Sequence, residues 1–131
     1  MFFLKKTRVL NIGAEGERLA ERFLRDLGYR ILARNSFNTK GVRLGELDIV
    51  ARDGKEIVFV EVKTSLSKPG VELHPELRVD RYKLQRMERA AGIWLRKEKC
   101  EDAPYRFDVV ALVLGTSGEV LSLNHFDHIF L

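Results

Sequence analysis

The sequence predicts an α/β sandwich around one mixed β-sheet, and three observations lead there. Two stretches, Gly13 to Leu27 and Arg81 to Lys97, carry apolar residues at helical spacing. Two strand-like runs, Leu44 to Ala51 and Glu56 to Lys63, flank the hairpin signal Asp53-Gly54. A further run, Tyr105 to Leu114, is apolar on both of its faces, the pattern of a strand covered on both sides. The resulting order of helix, three strands, helix, strand and strand suits one sheet flanked by helices.

Each element has its own local reason. In the first helix Ile12, Gly16, Leu19, Ala20, Phe23, Leu24 and Leu27 fall on one face, Asn11 is the expected N-cap, and Glu15 and Glu17 sit in the first turn. Gly28 supplies the stop. Tyr29 to Asn35 alternates as a strand does, and the polar segment Ser36 to Val42 reads as a loop. Ser65 to Leu73, containing Lys68-Pro69-Gly70, is a second expected loop. Asp80 is placed to cap the second helix, which turns Leu84, Met87, Ala91, Trp94 and Leu95 inward. Gly115 to Gly118 leads into a last strand, Val120 to Leu123.

The chain of 131 residues, 45% hydrophobic and 32% charged, has the balance of one globular domain spanning residues 1–131. Its longest apolar run, Val109 to Leu114, falls far short of the roughly 18 residues a membrane span needs. Met1-Phe2-Phe3-Leu4 is too short for a signal-peptide core and meets Lys5 and Lys6 at once. Cys100 is alone, which excludes an internal disulfide and a cysteine-based zinc site. A cytoplasmic protein without membrane partners is expected.

The net charge of +4 is localised. From Glu76 to Lys99 there are eight basic and four acidic residues, an excess equal to that of the whole chain. Such a helix fits a phosphate backbone, with Lys83 and Arg86 as candidate contacts, and it equally fits a solvated face of mixed charge. His125 and His128, spaced i, i+3, are a conceivable metal pair with no Cys or third His nearby in sequence.

The hairpin places carboxylates. If Asp53 and Gly54 are the two turn residues, Arg52 opposes Lys55, Asp48 opposes Phe59 and Glu46 opposes Glu61. Alternation then sets Leu44, Glu46, Asp48 and Val50 on one face with Ile57, Phe59, Glu61 and Lys63, while Leu47, Ile49, Val58, Val60 and Val62 take the other. Two readings stand: ordinary surface charges, or a built site. Facing carboxylates about 5 Å apart repel by on the order of 3 kcal/mol at an effective dielectric of ~20. A favourable cross-strand pair returns only ~0.2–1 kcal/mol. Lys63 offsets part of the repulsion and a divalent cation would offset more. Asp48 and Glu61, diagonal neighbours in this register, can reach one ion.

These residues resemble a known pattern. Asp48 followed by Glu61-Val62-Lys63 is similar to the D…ExK signature of the PD-(D/E)XK nuclease superfamily. Around it, Gly13, Gly16, Glu17, Ala20, Phe23 and Leu24, then Gly28-Tyr29-Arg30-Ile31-Leu32 and Arg34-Asn35, resemble the YraN family of Holliday-junction-resolvase-like endonucleases. So do Gly45-Glu46-Leu47-Asp48-Ile49-Val50-Ala51, Val58-Phe59-Val60-Glu61-Val62-Lys63, Lys83, Ala90 or Ala91, Trp94-Leu95 and Arg106-Phe107-Asp108-Val109-Val110. The likeness runs from about residue 11 to residue 114. Many members carry an arginine two residues after the ExK lysine, where this chain has Ser65, with Lys68 nearby in its place.

The resemblance implies a restriction-endonuclease-like fold with an αβββαβ core and hydrolysis of DNA phosphodiester bonds, branched DNA included. It implies Mg²⁺, or Mn²⁺, held by Asp48, Glu61 and the Val62 carbonyl, since a hard cation prefers oxygen and activates water. Lys63 is then the stabiliser of charge building on the phosphoryl oxygens. Glu17 would join the site from the first helix if that helix packs on the carboxylate face; otherwise it is a first-turn carboxylate favoured by the helix dipole. Glu46 is a further ligand or a neighbour tuning Glu61. Lys83, Arg86 and Lys68 are the expected nucleic-acid contacts, and an enzyme cutting two strands is expected to act as a homodimer. The alternative is a non-catalytic nucleic-acid-binding or adaptor domain that keeps the fold.

Overall fold

A computed structural model describes residues 11–34, 47–67 and 81–129. The elements are α1 (Ile12–Asp26), β1 (Arg30–Arg34), β2 (Ile49–Asp53), β3 (Glu56–Leu66), α2 (Arg81–Lys97), β4 (Tyr105–Leu114) and β5 (Val120–Phe126). They form a five-stranded mixed sheet in the order β1-β2-β3-β4-β5. Only β3 and β4 are parallel, joined through the segment that contains α2; the other neighbours are antiparallel. The fold is α/β, and its order, αβββαβ with β5 added, is the one the sequence leads to.

The two helices cover opposite faces. On one, Leu84, Met87, Ala90, Ala91 and Leu95 of α2 pack with Val50, Ile57, Phe59, Phe107 and Val109. On the other, Ala20 and Leu24 of α1 pack with Ile49, Ala51, Val58, Val60, Val110, Leu112 and Leu114. The central strands are therefore apolar on both sides because both sides are covered. Trp94 lies on the α2 side, edge-on to Phe59 with ring centroids 5.9 Å apart. Leu27, expected on the inner face of the first helix, is instead about half exposed, because the helix has already ended there.

Local chemistry sets the helix ends. The Asn11 side chain accepts the Ala14 N–H at 2.9 Å, the N-cap the sequence calls for. At the other end Gly28 takes φ 95°, with Tyr29 N–H donating to Leu24 O and Gly28 N–H to Arg25 O. Those paired bonds are a Schellman motif, which favours glycine at the left-handed position. The second helix closes the same way through Cys100 N–H to Leu95 O and Lys99 N–H to Arg96 O, with Lys99 at φ 55°. The Asp80 cap lies outside the described residues.

The hairpin register differs from the sequence reading. The turn residues are Gly54 and Lys55, with Asp53 opposite Glu56 and Ile49 opposite Val60. Gly54 has φ 62° and Lys55 is not among the positive-φ residues, the arrangement of a type II′ turn with glycine first. The Asp-Gly dipeptide suggested glycine second. Moving the turn by one residue slides the strands by two, so each paired side chain keeps its face while its partner changes. The ends of the strands also differ. Ser65 and Leu66, expected in a loop, extend β3 by pairing with Val113 and Leu114, and β5 runs on to Phe126. At its start β2 is shorter than expected, because Leu47 turns into the α2-side core with Val50 and breaks the alternation.

Gly16 is explained by packing. A Cβ there would overlap Oγ1, Cβ and Cγ2 of Thr64, so only glycine lets α1 lie this close to β3. Gly16→Ala is expected to destabilise the protein by about 1–3 kcal/mol through overpacking, with partial recovery in a Gly16→Ala/Thr64→Ala double variant. Urea denaturation of the three proteins measures it.

Candidate functional site

The site lies where β2 and β3 part. In a two-residue hairpin, hydrogen-bonded pairs alternate from the closing pair, so a continued ladder would send the Val62 N–H to the Leu47 carbonyl. The ladder stops at Ile49, and the Val62 N–H instead donates to Asp48 Oδ2 at 2.8 Å. The carboxylate of Asp48 thus replaces a backbone acceptor at the point where the strands separate. N–H and C=O of one strand residue point to the same edge, so the Val62 carbonyl is on the Asp48 side as well.

The last pair, Ile49 with Val60, leaves Asp48 just beyond the ladder, and its bond from the Val62 N–H sets it beside the Glu61–Val62 stretch of β3 rather than opposite Phe59. Asp48, bonded to the N–H of Val62, and Glu61, the residue before Val62, are the two carboxylates of the site. Both are buried, at 6% and 7% exposure, and Glu61 Oε2 is fully enclosed. Lys83 of α2 brings its Nζ to 3.6 Å from Glu61 Oε1. Lys63 and Ser65 follow Glu61 along the same face of β3, Lys63 partly buried and Ser65 exposed.

The remaining candidates divide. Glu17 belongs to α1, which packs on the face opposite α2. It follows Gly16, which meets Thr64 next to Lys63, and its Oε1 is 3.8 Å from Arg34 Nη2. Arg86 stands on α2 with its guanidinium 5.8 Å from the Tyr82 ring centre. Lys83, assigned from sequence to a phosphate backbone, reaches Glu61. Glu46 and Lys68 lie outside the described residues.

Among the described residues no three His, Cys, Asp or Glu side chains gather in a metal-holding group. The set the sequence suggests does not need three. Asp48 and Glu61, with the Val62 carbonyl, are hard oxygen donors on adjacent strands, which suits a hard divalent cation. His125 and His128 each meet an aspartate instead of each other. The first contacts Asp108 Oδ2 through Nε2 at 2.8 Å, while the second offers Asp108 its backbone N–H at 3.2 Å and its ring to Asp127.

That contact is part of a polar network the sequence reading did not assemble. Arg106, 6% exposed, and Asp108, 0% exposed, lie on the α1 face at the opposite end of the sheet from Lys63. Arg106 donates to Asp108 through Nε at 3.0 Å, to Glu56 at 2.6 Å, to Asp53 at 3.4 Å and to Tyr29 Oη at 2.8 Å. Burial pushes the Asp108 carboxyl up, but bonds from His125 and Arg106 outweigh it and hold the group below the ordinary aspartate value. For Arg106, burial opposes the charge and the Asp108 and Glu56 carboxylates more than restore it. The one available signal was Arg and Asp at i, i+2 in a strand otherwise apolar on both faces.

A mixed sheet held between two helices, with paired buried carboxylates and lysines where its hairpin opens, defines an α/β protein with a charged site at a strand end. No helix among the described residues is long and apolar enough to cross a membrane. Residues 16–112 match the family described as "Uncharacterised protein family UPF0102", and the chain belongs to that family. It is 43% identical over 120 residues to a UPF0102 protein of Geobacter metallireducens, covering 92% of each chain. To a UPF0102 protein of Caldicellulosiruptor saccharolyticus it is 40% identical over 120 residues, covering 91% of this chain and 96% of the relative. A Geotalea daltonii relative is 45% identical over 91% of this chain and 88% of its own.

Proposed function

We propose that this protein is a metal-dependent endonuclease of the PD-(D/E)XK kind, similar to the YraN family, that hydrolyses phosphodiester bonds in branched or otherwise structured DNA. The observation that carries the reading is the bond from the Val62 N–H to Asp48, which brings that carboxylate to the residue after Glu61, with both carboxylates buried and Lys63 two residues beyond Glu61 on its face. Two buried carboxylates at one strand end are a poor way to stabilise a hairpin and a good way to hold a cation. Asp48, Glu61 and the Val62 carbonyl would hold Mg²⁺ or Mn²⁺. Such a cation, when bound, supplies Lewis-acid polarisation and activation of water.

The protein's own groups do the rest. Val62 N–H fixes the Asp48 carboxylate, so the donor set is oriented before substrate arrives. Lys63 donates to the phosphoryl oxygens as charge builds on them. Lys83 and the basic residues of α2 take the flanking phosphate backbone, a contact that weakens as salt is added.

Calorimetric titration with Mg²⁺ and with Mn²⁺ tests the site. The wild type is expected to bind, and the Asp48→Ala/Glu61→Ala double variant is not. Equal binding by both proteins, or none by the wild type with or without DNA present, would overturn the metal site and favour the non-catalytic adaptor reading.

A further inference from the structure

Among the described residues Tyr82 is the most exposed of the large apolar and aromatic side chains, at 70%, and it adjoins Lys83, whose ammonium reaches Glu61. Arg86, one turn on, sets its guanidinium 5.8 Å from the Tyr82 ring centre and holds the ring on the surface of the helix. Around it, α2 carries six basic residues and one acidic. A ring stacked by a cation on a basic helix is what proteins present to an unpaired base, because every base has a π-face while the backbone needs positive charge. A continuous duplex offers that ring nothing, since its bases are stacked on each other.

Resting on the nuclease reading, we propose that Tyr82 and Arg86 form a stacking platform for an unpaired base on the first turns of α2, where Lys83 meets Glu61, so the preferred substrate carries unpaired nucleotides at a flap, gap or splayed arm. A fully paired four-way junction lacks the base the platform takes. Tyr82 touches no core cluster, so its removal leaves the fold intact, and it is a substrate-positioning residue.

The test is equilibrium binding by fluorescence anisotropy without divalent cation, on a flapped duplex, a four-way junction and a blunt duplex. The proteins are the wild type, Tyr82→Ala and Tyr82→Phe. The wild type is expected to favour the flapped DNA, Tyr82→Ala to lose about tenfold on that DNA alone, and Tyr82→Phe to retain the preference. Equal losses on all three DNAs, or none, would overturn the platform while leaving the nuclease reading standing. A wild type that binds none of them at low salt would overturn both.

Discussion

Asp108→Ala is expected to lower the free energy of unfolding by about 3 kcal/mol, the lower end of the ~3–5 kcal/mol seen when one partner of a buried charge pair is removed. The carboxylate is wholly enclosed and accepts from Arg106, His125 and the His128 N–H. Its loss strands the Nε edge of a buried guanidinium, yet Arg106 keeps Glu56 at 2.6 Å, which holds the cost toward the low end. The network also joins β4 to β5 and to Tyr29, so the variant loosens the sheet edge at once. Urea denaturation measures the difference, and a loss under about 1 kcal/mol, the size of an exposed pair, would show that the network contributes little.

The same group has a pH signature. The folded-state pKa of Asp108 is depressed, so its contribution is complete above the ordinary aspartate value of 3.8 and is lost as the pH falls below it through the folded-state value. The stability gap between wild type and Asp108→Asn is therefore expected to be constant near neutrality and to narrow below pH 3.8. A gap unchanged down to the acid transition would show that the carboxylate charge does not matter.

Lys63→Ala and Asp48→Ala are each expected to cut divalent-cation-dependent cleavage of a flapped duplex by on the order of 10²–10³-fold, the usual cost of removing a group that stabilises transition-state charge. The two variants separate chemistry from scaffolding. Lys63 lies beyond the last β2–β3 pair, so its truncation leaves that hairpin ladder alone, whereas Asp48 also receives the Val62 N–H. Asp48→Asn keeps an oxygen for that N–H and removes the charge. It is expected to be at least as stable as the wild type, since the repulsion from Glu61 is relieved, and to cleave like Asp48→Ala. An Asp48→Asn protein of unchanged cleavage rate would show that the carboxylate only caps the strand.

Much of this molecule follows from interactions within a few residues. The helices are legible because Ala20 and Leu24, or Leu84, Met87 and Ala91, recur at the helical period, and because Asn11 and Gly28 mark the ends of the first. The face shared by Glu61 and Lys63 is legible too, since a strand alternates with period two and a slip of two residues returns every side chain to its side.

Register and distant pairing are another matter. Whether Gly54 is the first or second turn residue depends on which position takes positive φ, and an Asp-Gly pair permits either. That choice, made by the packing of the whole sheet, decides that Ile49 opposes Val60 and so where Asp48 meets β3. Lys83 meets Glu61 only because α2 crosses the face that carries it, and Gly16 is needed only because α1 descends onto Thr64. Arg106 reaches Tyr29 across 77 residues of chain. The sequence alone determined the elements, their faces and the candidate carboxylates, because local periodicity encodes those; the tertiary structure alone decided which charges meet, because that depends on how separate elements pack.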